Sequence, residues 1–322
     1  MEKQNMWTGS MMMSPQPSGP TIADYFSATT YAGTGAGRNL VTGIDADLHW
    51  IKRMDVTANH GLYDKLRGTT KALATNNISA ETTLAQGVTA FLTDGATLGT
   101  DATVNASGGT YIDWAFKNAP GFFEAVAYTG NGASGRAIAH SLGVAPGLVI
   151  IRERGGGPWL TYAPAATNKC GVLSSNVAFT ASATSAVTAV SSSTFTVNGG
   201  SEINQNGQQY IAYLFAHDTG PDGMVRCGIY TGTSGTQYID IGWQPQFVMI
   251  KGTSLTAHWY ISDAARGFFP TASYGALQAN SDVAHPTSGA ARTDGTPTSF
   301  GVTTNVVNTS GAEYFYLAIR KP

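Results

Sequence analysis

One motif occurs three times along this 322-residue chain, near the end of each of three successive segments. The motif is [Val/Ile]-Asn-x-x-Gly-x-x-Tyr, and its tyrosines are 99 and 104 residues apart. Its fixed positions are Asn105, Gly108 and Tyr111 in the first copy, Asn204, Gly207 and Tyr210 in the second, and Asn308, Gly311 and Tyr314 in the third. Regular self-similarity is typical of a chain built from copies of one unit. The spacing therefore predicts three copies of a unit of about a hundred residues.

Three further landmarks keep the same order in every segment. Each segment opens with a tyrosine before a glycine-rich turn, continues with an apolar strand that ends on a cation, and carries Leu-x-x-Asn near its middle. These landmarks are Tyr31, Tyr128 and Tyr230; Lys52, Arg152 and Lys251; and Leu73–Asn76, Leu173–Asn176 and Leu277–Asn280. The predicted boundaries are 21–119, 120–220 and 221–322, with residues 1–20 as a separate N-terminal arm.

The repeated unit has the pattern of antiparallel β-structure. The Asn of the motif can bond nearby backbone and the Gly can adopt positive φ, which together make a tight turn ahead of a strand. In the last strand of the first copy, Ile112, Trp114 and Phe116 alternate with polar residues, which predicts one buried face. Asp113 and Lys117 belong to the other face. We expect an all-β protein of three tandem antiparallel β-sandwich domains with an extended N-terminal arm.

Composition excludes several classes of protein. The chain has 18 Lys+Arg and 20 Asp+Glu, a formal net charge of −2, so it lacks the excess of cations that nucleic-acid binding requires. With 42% hydrophobic residues it can bury a core, which argues against disorder throughout. No apolar run reaches the roughly 18 residues of a membrane span, so we expect no membrane insertion.

The sequence offers no cofactor, metal or catalytic constellation. Cys170 and Cys227 have no His or Cys at metal-ligand spacing, and two buried thiols are favoured over a single bridge between them. The G-x-G-x-x-G match at 130–135 is not followed by a helix long enough for a dinucleotide site, so a hairpin turn is the better interpretation. There is no Gly-x-Ser-x-Gly elbow and no pair of carboxylates that spacing alone can place across a glycosidic bond. We expect a protein that is not an enzyme.

Two copies carry an Asp-x-x-Arg-Gly motif, at Asp64 and Arg67 and again at Asp263 and Arg266. A carboxylate and a guanidinium at this spacing predict an ion pair that pins a loop. Carbohydrate binding is the alternative for these pairs. Trp159, Trp243 and Trp259 are also placed near loops, where stacking on sugar rings is the alternative to core packing.

The N-terminal arm is rich in methionine. Met11, Met12 and Met13 stand together among Ser, Gly and Pro residues, and Trp7 is the only large aromatic residue of the arm. Because methionine adapts to irregular apolar surfaces, an arm that docks on a partner is one interpretation. A simple tail without a partner is the other.

The first segment and the start of the second resemble a known family. The similarity lies in Leu48–Lys52, Leu62–Gly68, Leu73–Asn76, Val104–Lys117 and Tyr128–Pro146. These motifs are similar to a repeated domain of uncharacterised function found in structural, tail-fibre-like proteins of tailed phages, often marine ones. The resemblance implies no catalytic residues.

From this resemblance we expect a phage virion structural protein, located on the tail as a fibre or tail-attached appendage that contributes to host attachment. The partners implied are other virion proteins, such as a tail adaptor, nozzle or capsid protein, further copies of the chain in a homo-oligomer, and host surface glycan. A capsid decoration protein is the first alternative and a glycan-binding, lectin-like module is the second.

Overall fold

The computed structural model describes residues 21–166, 169–181, 187–199, 202–267, 275–286, 295–303 and 305–322. These residues form short antiparallel strands joined by turns, with two one-turn helices and three 3₁₀ turns. All strand pairs described are antiparallel, so the predicted all-β antiparallel class is confirmed.

The first segment folds into two sheets and a two-stranded ribbon. Its strands are β1 (Phe26–Ala32), β2 (Arg38–Val41), β3 (Leu48–Arg53), β4 (His60–Asp64), β5 (Lys71–Ala72), β6 (Thr82–Thr83), β7 (Val88–Leu92), β8 (Gly95–Leu98) and β9 (Thr110–Phe116). A 3₁₀ turn at Ile22–Asp24 precedes β1, and helix α1 (Ala102–Asn105) precedes β9. The main sheet has the order β1-β9-β3-β4, the second sheet β2-β8-β7 and the ribbon β5-β6.

The second segment has the same plan. Its described strands are β10 (Phe123–Thr129), β11 (Arg136–Ala139), β12 (Pro146–Glu153), β13 (Trp159–Tyr162), β14 (Lys169–Val172), β15 (Thr180–Ala181), β16 (Val187–Val190), β17 (Thr194–Val197) and β18 (Gln209–Ala216), with a 3₁₀ turn at Pro164–Ala166. The main sheet is β10-β18-β12-β13-β14-β15 and the second sheet is β11-β17-β16.

The third segment repeats the plan again. Its described strands are β19 (Val225–Thr231), β20 (Gln237–Asp240), β21 (Pro245–Gly252), β22 (Trp259–Asp263), β23 (Leu277–Gln278), β24 (Gly295–Thr296), β25 (Ser299–Val302) and β26 (Glu313–Arg320). A 3₁₀ turn at Ala264–Arg266 follows β22, and helix α2 (Asn305–Asn308) precedes β26. The main sheet is β19-β26-β21-β22-β23 and the second sheet is β20-β25-β24.

The main sheets share one topology. In each segment the first strand pairs with the last strand, the last with the apolar cation-ended strand, and that strand with the next one along the chain. We call the three segments repeats 1, 2 and 3. The predicted domain boundaries stay predictions, since all three repeats contribute to one apolar core.

The two inner strands of each main sheet that pair with each other, the apolar cation-ended strand and the last strand, are buried on both faces. The prediction of one buried face was wrong: every residue of β9 after Thr110 is buried, including Asp113. One face packs on the repeat's own second sheet, as for Tyr111 and Ile51. The other face meets the neighbouring repeats in the shared core, as for Trp114 and Phe116. A strand sandwiched between two layers has no solvent face, so alternation within it does not predict exposure.

Candidate functional site

The three repeats are joined by the same hydrogen bond, made in a circle. The first residue of β13, Trp159, donates its indole N–H to the carbonyl oxygen of Ala74 in repeat 1, at 2.8 Å. The first residue of β22, Trp259, donates likewise to Val172 in repeat 2, at 3.0 Å. The first residue of β4, His60, completes the circle with a 3.0 Å contact from Nε2 to the carbonyl oxygen of Gln278 in repeat 3. The repeats therefore form a closed ring with three joints.

The cations that end the apolar strands lie in these joints. Lys52 donates to the carbonyl oxygen of Asp282 at 3.1 Å, Lys251 donates to that of Asn176 at 3.1 Å, and Arg152 donates to that of Ser79. All three cations are fully buried. Burial lowers the pKa of Lys52 and of Lys251 to about 8, and the pKa of Arg152 to about 10. These cations connect each repeat to its neighbour through backbone oxygens.

The Asp-x-x-Arg pairs form the ion pairs that the sequence predicts. Asp64 accepts hydrogen bonds from the backbone N–H and the guanidinium of Arg67, and Asp263 does the same for Arg266. Both carboxylates are fully buried. Arg67 also contacts Glu81 at 3.1 Å, and Glu81 contacts Arg154 of repeat 2 at 2.7 Å. The pairs pin the turns after β4 and β22, and neither carboxylate is exposed to a sugar in the surrounding solvent.

The same carboxylates have a second role at the joints. Tyr213 of repeat 2 donates its hydroxyl to Asp64 of repeat 1 at 2.7 Å. Trp114 of repeat 1 donates its indole N–H to Asp263 of repeat 3 at 2.9 Å. At the third joint the corresponding residues are Ala163 and Leu317, which belong to the shared apolar core. Sequence reasoning missed this role because the donors are 149 residues away along the chain.

The Asn-x-x-Gly-x-x-Tyr motifs build three near-identical turn clusters. In each cluster the Asn side chain holds the glycine-rich turn that follows the repeat's first strand: its oxygen accepts the backbone N–H of Thr34, Asn131 or Thr233, at 2.8 to 3.1 Å. The motif glycines adopt φ between 73° and 80°. The Asn therefore bonds a distant turn, rather than the backbone just ahead of it.

The motif tyrosines complete these clusters by stacking on the opening tyrosines. The ring pairs are Tyr31 and Tyr111, Tyr128 and Tyr210, and Tyr230 and Tyr314, with centroids 5.0 to 5.1 Å apart and planes within 14° of parallel. Each opening tyrosine also donates its hydroxyl to the carbonyl just before the motif Asn. The motif residues thus form rigid structural corners.

The ring has two distinct ends. In repeat 1, Phe26 at the start of β1 pairs with Phe116 at the end of β9, while Ala32 pairs with Thr110 at the opposite end. The phenylalanine ends converge, since the ring of Phe116 lies 5.6 Å from that of Phe215 and the ring of Phe26 lies 5.7 Å from that of Phe247. We call this the arm end, because the chain enters β1 here from residue 21. The turn clusters lie at the other end, the turn end.

The turn end presents mostly small neutral side chains. Its exposed residues include Thr34, Ser107, Asn131, Ser134, Gln205, Asn206, Thr233, Ser234, Thr309 and Ser310. Two exposed carboxylates lie beside them: Asp55 accepts the backbone N–H of Thr110, and Glu202 precedes the second motif. In the described part of the chain, no group of three or more His, Cys, Asp or Glu residues is placed to hold a metal ion. The surface is suited to hydrogen bonding with neutral partners.

Several predicted features have structural outcomes. Trp159, Trp243 and Trp259 are buried, so core packing is confirmed over sugar stacking. No disulfide joins Cys170 and Cys227 among the described residues; Cys227 is buried and Cys170 is half-buried. Residues 130–135 form a turn between β10 and β11 and are followed by a strand instead of a helix, but the hairpin prediction was wrong, because β10 pairs with β18 and β11 with β17 in a different sheet.

Two further predictions concern the arm and the membrane. Trp7, Met11, Met12 and Met13 lie outside the described residues. Among the helices that the structure describes, none has the length and apolar character to cross a membrane.

The fold and joints define a class: a β-protein in which three repeats close into one ring. A family model described as "Domain of unknown function (DUF7483)" matches residues 21–322, and the chain belongs to this family. The match covers all three repeats together, as one domain. No curated protein matches the chain.

Proposed function

We propose that this protein is a non-enzymatic structural component of a tailed-phage virion, attached to the tail as a compact appendage that contributes to host attachment. The observation that carries the proposal is the polarity of the ring. The N-terminal arm joins the ring at the arm end, and the turn clusters of all three repeats face the opposite way. One end is thereby available to the virion and the other to the host.

The internal bonding supports a structural role. Buried ionisable groups of the joints such as Lys52, Lys251 and Asp263 are occupied by backbone carbonyls or by ion pairs. The turn end carries neutral hydroxyls and amides, which suit contacts with neutral glycan or with packed protein subunits. The resemblance to tail-fibre-like proteins also supports a structural role.

The side-by-side arrangement favours a compact appendage over a long fibre shaft. Because the three repeats surround one core, no repeat lies farther from the arm end than another. A fibre built from this chain requires further copies or further proteins to gain length.

Removal of the arm tests the proposal. We expect the variant lacking residues 2–20 to fold, with an unchanged circular dichroism spectrum and cooperative unfolding, but to be absent from purified particles. A matched full-length variant, with Trp7, Met11, Met12 and Met13 each changed to serine, should also be lost from particles. Incorporation of both variants at the wild-type level contradicts the proposal.

A capsid decoration protein is the second candidate, favoured by the same compact ring with a single arm. Quantitative mass spectrometry of purified particles separates the two roles. A tail-attached appendage should be present in a small fraction of the copies of the major capsid protein, whereas a decoration protein should approach the number of capsid positions.

A further inference from the structure

Repeat 1 contains an open cavity of about 180 Å³ beside the joints, and the joint residues His60, Ala74 and Ser79 form part of its lining. It lies between β4 and the segment 72–84, which carries the β5-β6 ribbon. Gly61 and Tyr63 of β4 form one wall. Asn77, Ser79 and Thr82 form part of the opposite wall.

The cavity lies beside a glycine of β4, at a position where the other repeats have large side chains. Gly61 pairs with Ile51 in the main sheet of repeat 1, while Leu160 pairs with Ile151 and Tyr260 with Ile250 at the same position of repeats 2 and 3. In repeat 2 the space beside Leu160 is only about 10 Å³. The space beside Gly61 is thus larger than the one beside Leu160, and a side chain at position 61 would also displace the Tyr63 ring, which lies 3.0 Å from a Cβ placed there.

The described lining is polar and carries no formal charge. It contains the side-chain amides of Asn59 and Asn77 and the hydroxyls of Ser79 and Thr82, and no Asp, Glu, Lys or Arg lines it. His60 also contributes, but both of its ring nitrogens are engaged, with Trp50 and with the Gln278 carbonyl. Burial lowers the pKa of His60 to about 3, so the imidazole is neutral at physiological pH.

Tyr63 is a fully buried part of the wall. A side-chain hydrogen bond with Thr103, which also lines the cavity, opposes the rise in the pKa of Tyr63 that burial causes. The polar groups that face the open part of the cavity are therefore those of the exposed residues Asn59, Ser79 and Thr82.

The volume and walls match a six-membered ring. An engineered cavity of about 150 Å³ in another protein admits benzene, so 180 Å³ accommodates a ring of six atoms. Ala72, Leu73 and Leu84 supply an apolar wall opposite the amides and hydroxyls. A pyranose has apolar C–H faces and a rim of hydroxyls, and it fits both kinds of wall.

We infer that this cavity binds one neutral pyranose unit of a glycan, an inference that deepens the proposed role in host attachment and rests on it for its biological purpose. The Ser79 and Thr82 hydroxyls and the Asn77 amide contact the sugar hydroxyls. Charged sugars are disfavoured, because the lining offers no counter-charge.

Binding is tested on the isolated full chain by calorimetry and saturation-transfer NMR. The probes are the methyl pyranosides of glucose, galactose and mannose and N-acetylglucosamine, with glucuronate and sialic acid as charged comparisons. We expect at least one neutral probe to bind and the charged probes not to bind.

Variants of the cavity locate the site. Gly61→Leu places the residue of repeat 2 in repeat 1 and should weaken binding at least tenfold. Gly235→Leu is the matched control, since a Cβ at Gly235 meets nothing within 4 Å. The double variant Ser79→Ala, Thr82→Val removes two hydroxyls at exposed positions and leaves the backbone unchanged. It takes the place of Gly61→Leu if that variant does not fold, and it should also weaken binding.

The outcomes separate this inference from the proposed function. No binding of any neutral probe at millimolar concentration, or binding unchanged in the cavity variants, overturns the inference. Binding that the cavity variants remove and Gly235→Leu keeps supports it. Because the measurement uses isolated protein, absence of the chain from virions would count against the proposed function alone.

Discussion

Two joints of the ring have different residues at equivalent positions: the joint between repeats 3 and 1 is polar, and the joint between repeats 2 and 3 is apolar. At the first joint, Asp263 pairs with Arg266 and accepts the indole N–H of Trp114. At the second, the corresponding positions are Ala163 and Leu317, in the apolar core. The carboxylate and its distant donor are thus both present or both absent. A buried carboxylate is tolerated only with its partners, so one side of a joint constrains the other.

The largest effect is expected from breaking a polar joint. Asp263→Ala leaves the Arg266 guanidinium without its carboxylate and the Trp114 N–H without its acceptor. An uncompensated buried charge costs about 3–5 kcal/mol, so the free energy of unfolding, measured by urea denaturation, should fall by that amount. Asp45→Ala is the control, because Asp45 is exposed in its pair with Lys65 and should cost less than about 1 kcal/mol. Equal losses in the two variants contradict the comparison.

The next effect tests what the three repeats share. A Cβ at Gly33, Gly130 or Gly232 would lie 2.1 to 2.2 Å from a backbone carbonyl oxygen of the neighbouring turn. Alanine at any of these three positions should lower the free energy of unfolding by about 3 kcal/mol, because the backbone must move. Alanine at the motif positions Gly108, Gly207 or Gly311 meets open space and should cost about 1 kcal/mol, from positive φ alone. Widely different losses among the first three glycines, in chemical denaturation, would show that the turn clusters are not equivalent.

A smaller effect is expected from converting one kind of joint into the other. The triple variant Asp64→Ala, Arg67→Ala, Tyr213→Leu gives the joint of repeats 1 and 2 the residues found between repeats 2 and 3. Because apolar packing replaces the whole network, the free energy of unfolding of this variant should lie within about 2 kcal/mol of the wild-type value. It should also be more stable than Asp64→Ala alone. The opposite order of stability would mean that the apolar joint depends on other residues.

The last comparison is a pH dependence that separates the two lysine joints from the arginine joint. Lys52 and Lys251 have folded pKa values of about 8, below the ordinary 10.5. Between these values the unfolded chain binds more protons than the folded one, so stability rises with pH, by at most about 1.4 kcal/mol per pH unit for each lysine.

Denaturation at pH 7.5, 8.5 and 9.5 checks this dependence. Burial raises the pKa of the Cys227 thiol, which opposes the trend above about pH 9. The wild type is therefore compared with the double variant Lys52→Arg, Lys251→Arg, whose guanidinium groups stay protonated. The wild type should gain stability relative to the variant as pH rises. Parallel curves would show that the lysines do not titrate in this range.

Local chemistry made only part of the turn clusters predictable. The positive φ of Gly108 and the strand that follows it are local, so the turn and the all-β class follow from the sequence. The bond from the Thr34 N–H to Asn105 joins residues 71 positions apart and was not predicted. The Asp-x-x-Arg pairs are local, with partners only three positions apart.

Contacts between repeats could not be predicted in this way. The cation at the end of β3 was evident as a landmark, but its acceptor, Asp282, is 230 residues away. The pairing of His49 with Asp113 in the core of repeat 1, at 2.7 Å and fully buried, was also missed. Val149 and Ala212 occupy the corresponding places in repeat 2, so the repeats themselves indicated no charge there. Gly61 stands out only when β4 is compared with β13 and β22 at the same register position, and the sequence alone does not give that register.

The closure of the ring is tested most directly by a double-mutant cycle between Trp114 and Asp263, which are 149 residues apart and joined across the joint of repeats 3 and 1. The free energy of unfolding is measured for Trp114→Phe, Asp263→Asn and the double variant. A closed ring predicts a coupling energy of about 1 kcal/mol, the value of one buried hydrogen bond. Losses that add to within about 0.3 kcal/mol would show that the two side chains do not meet, and the ring would be open.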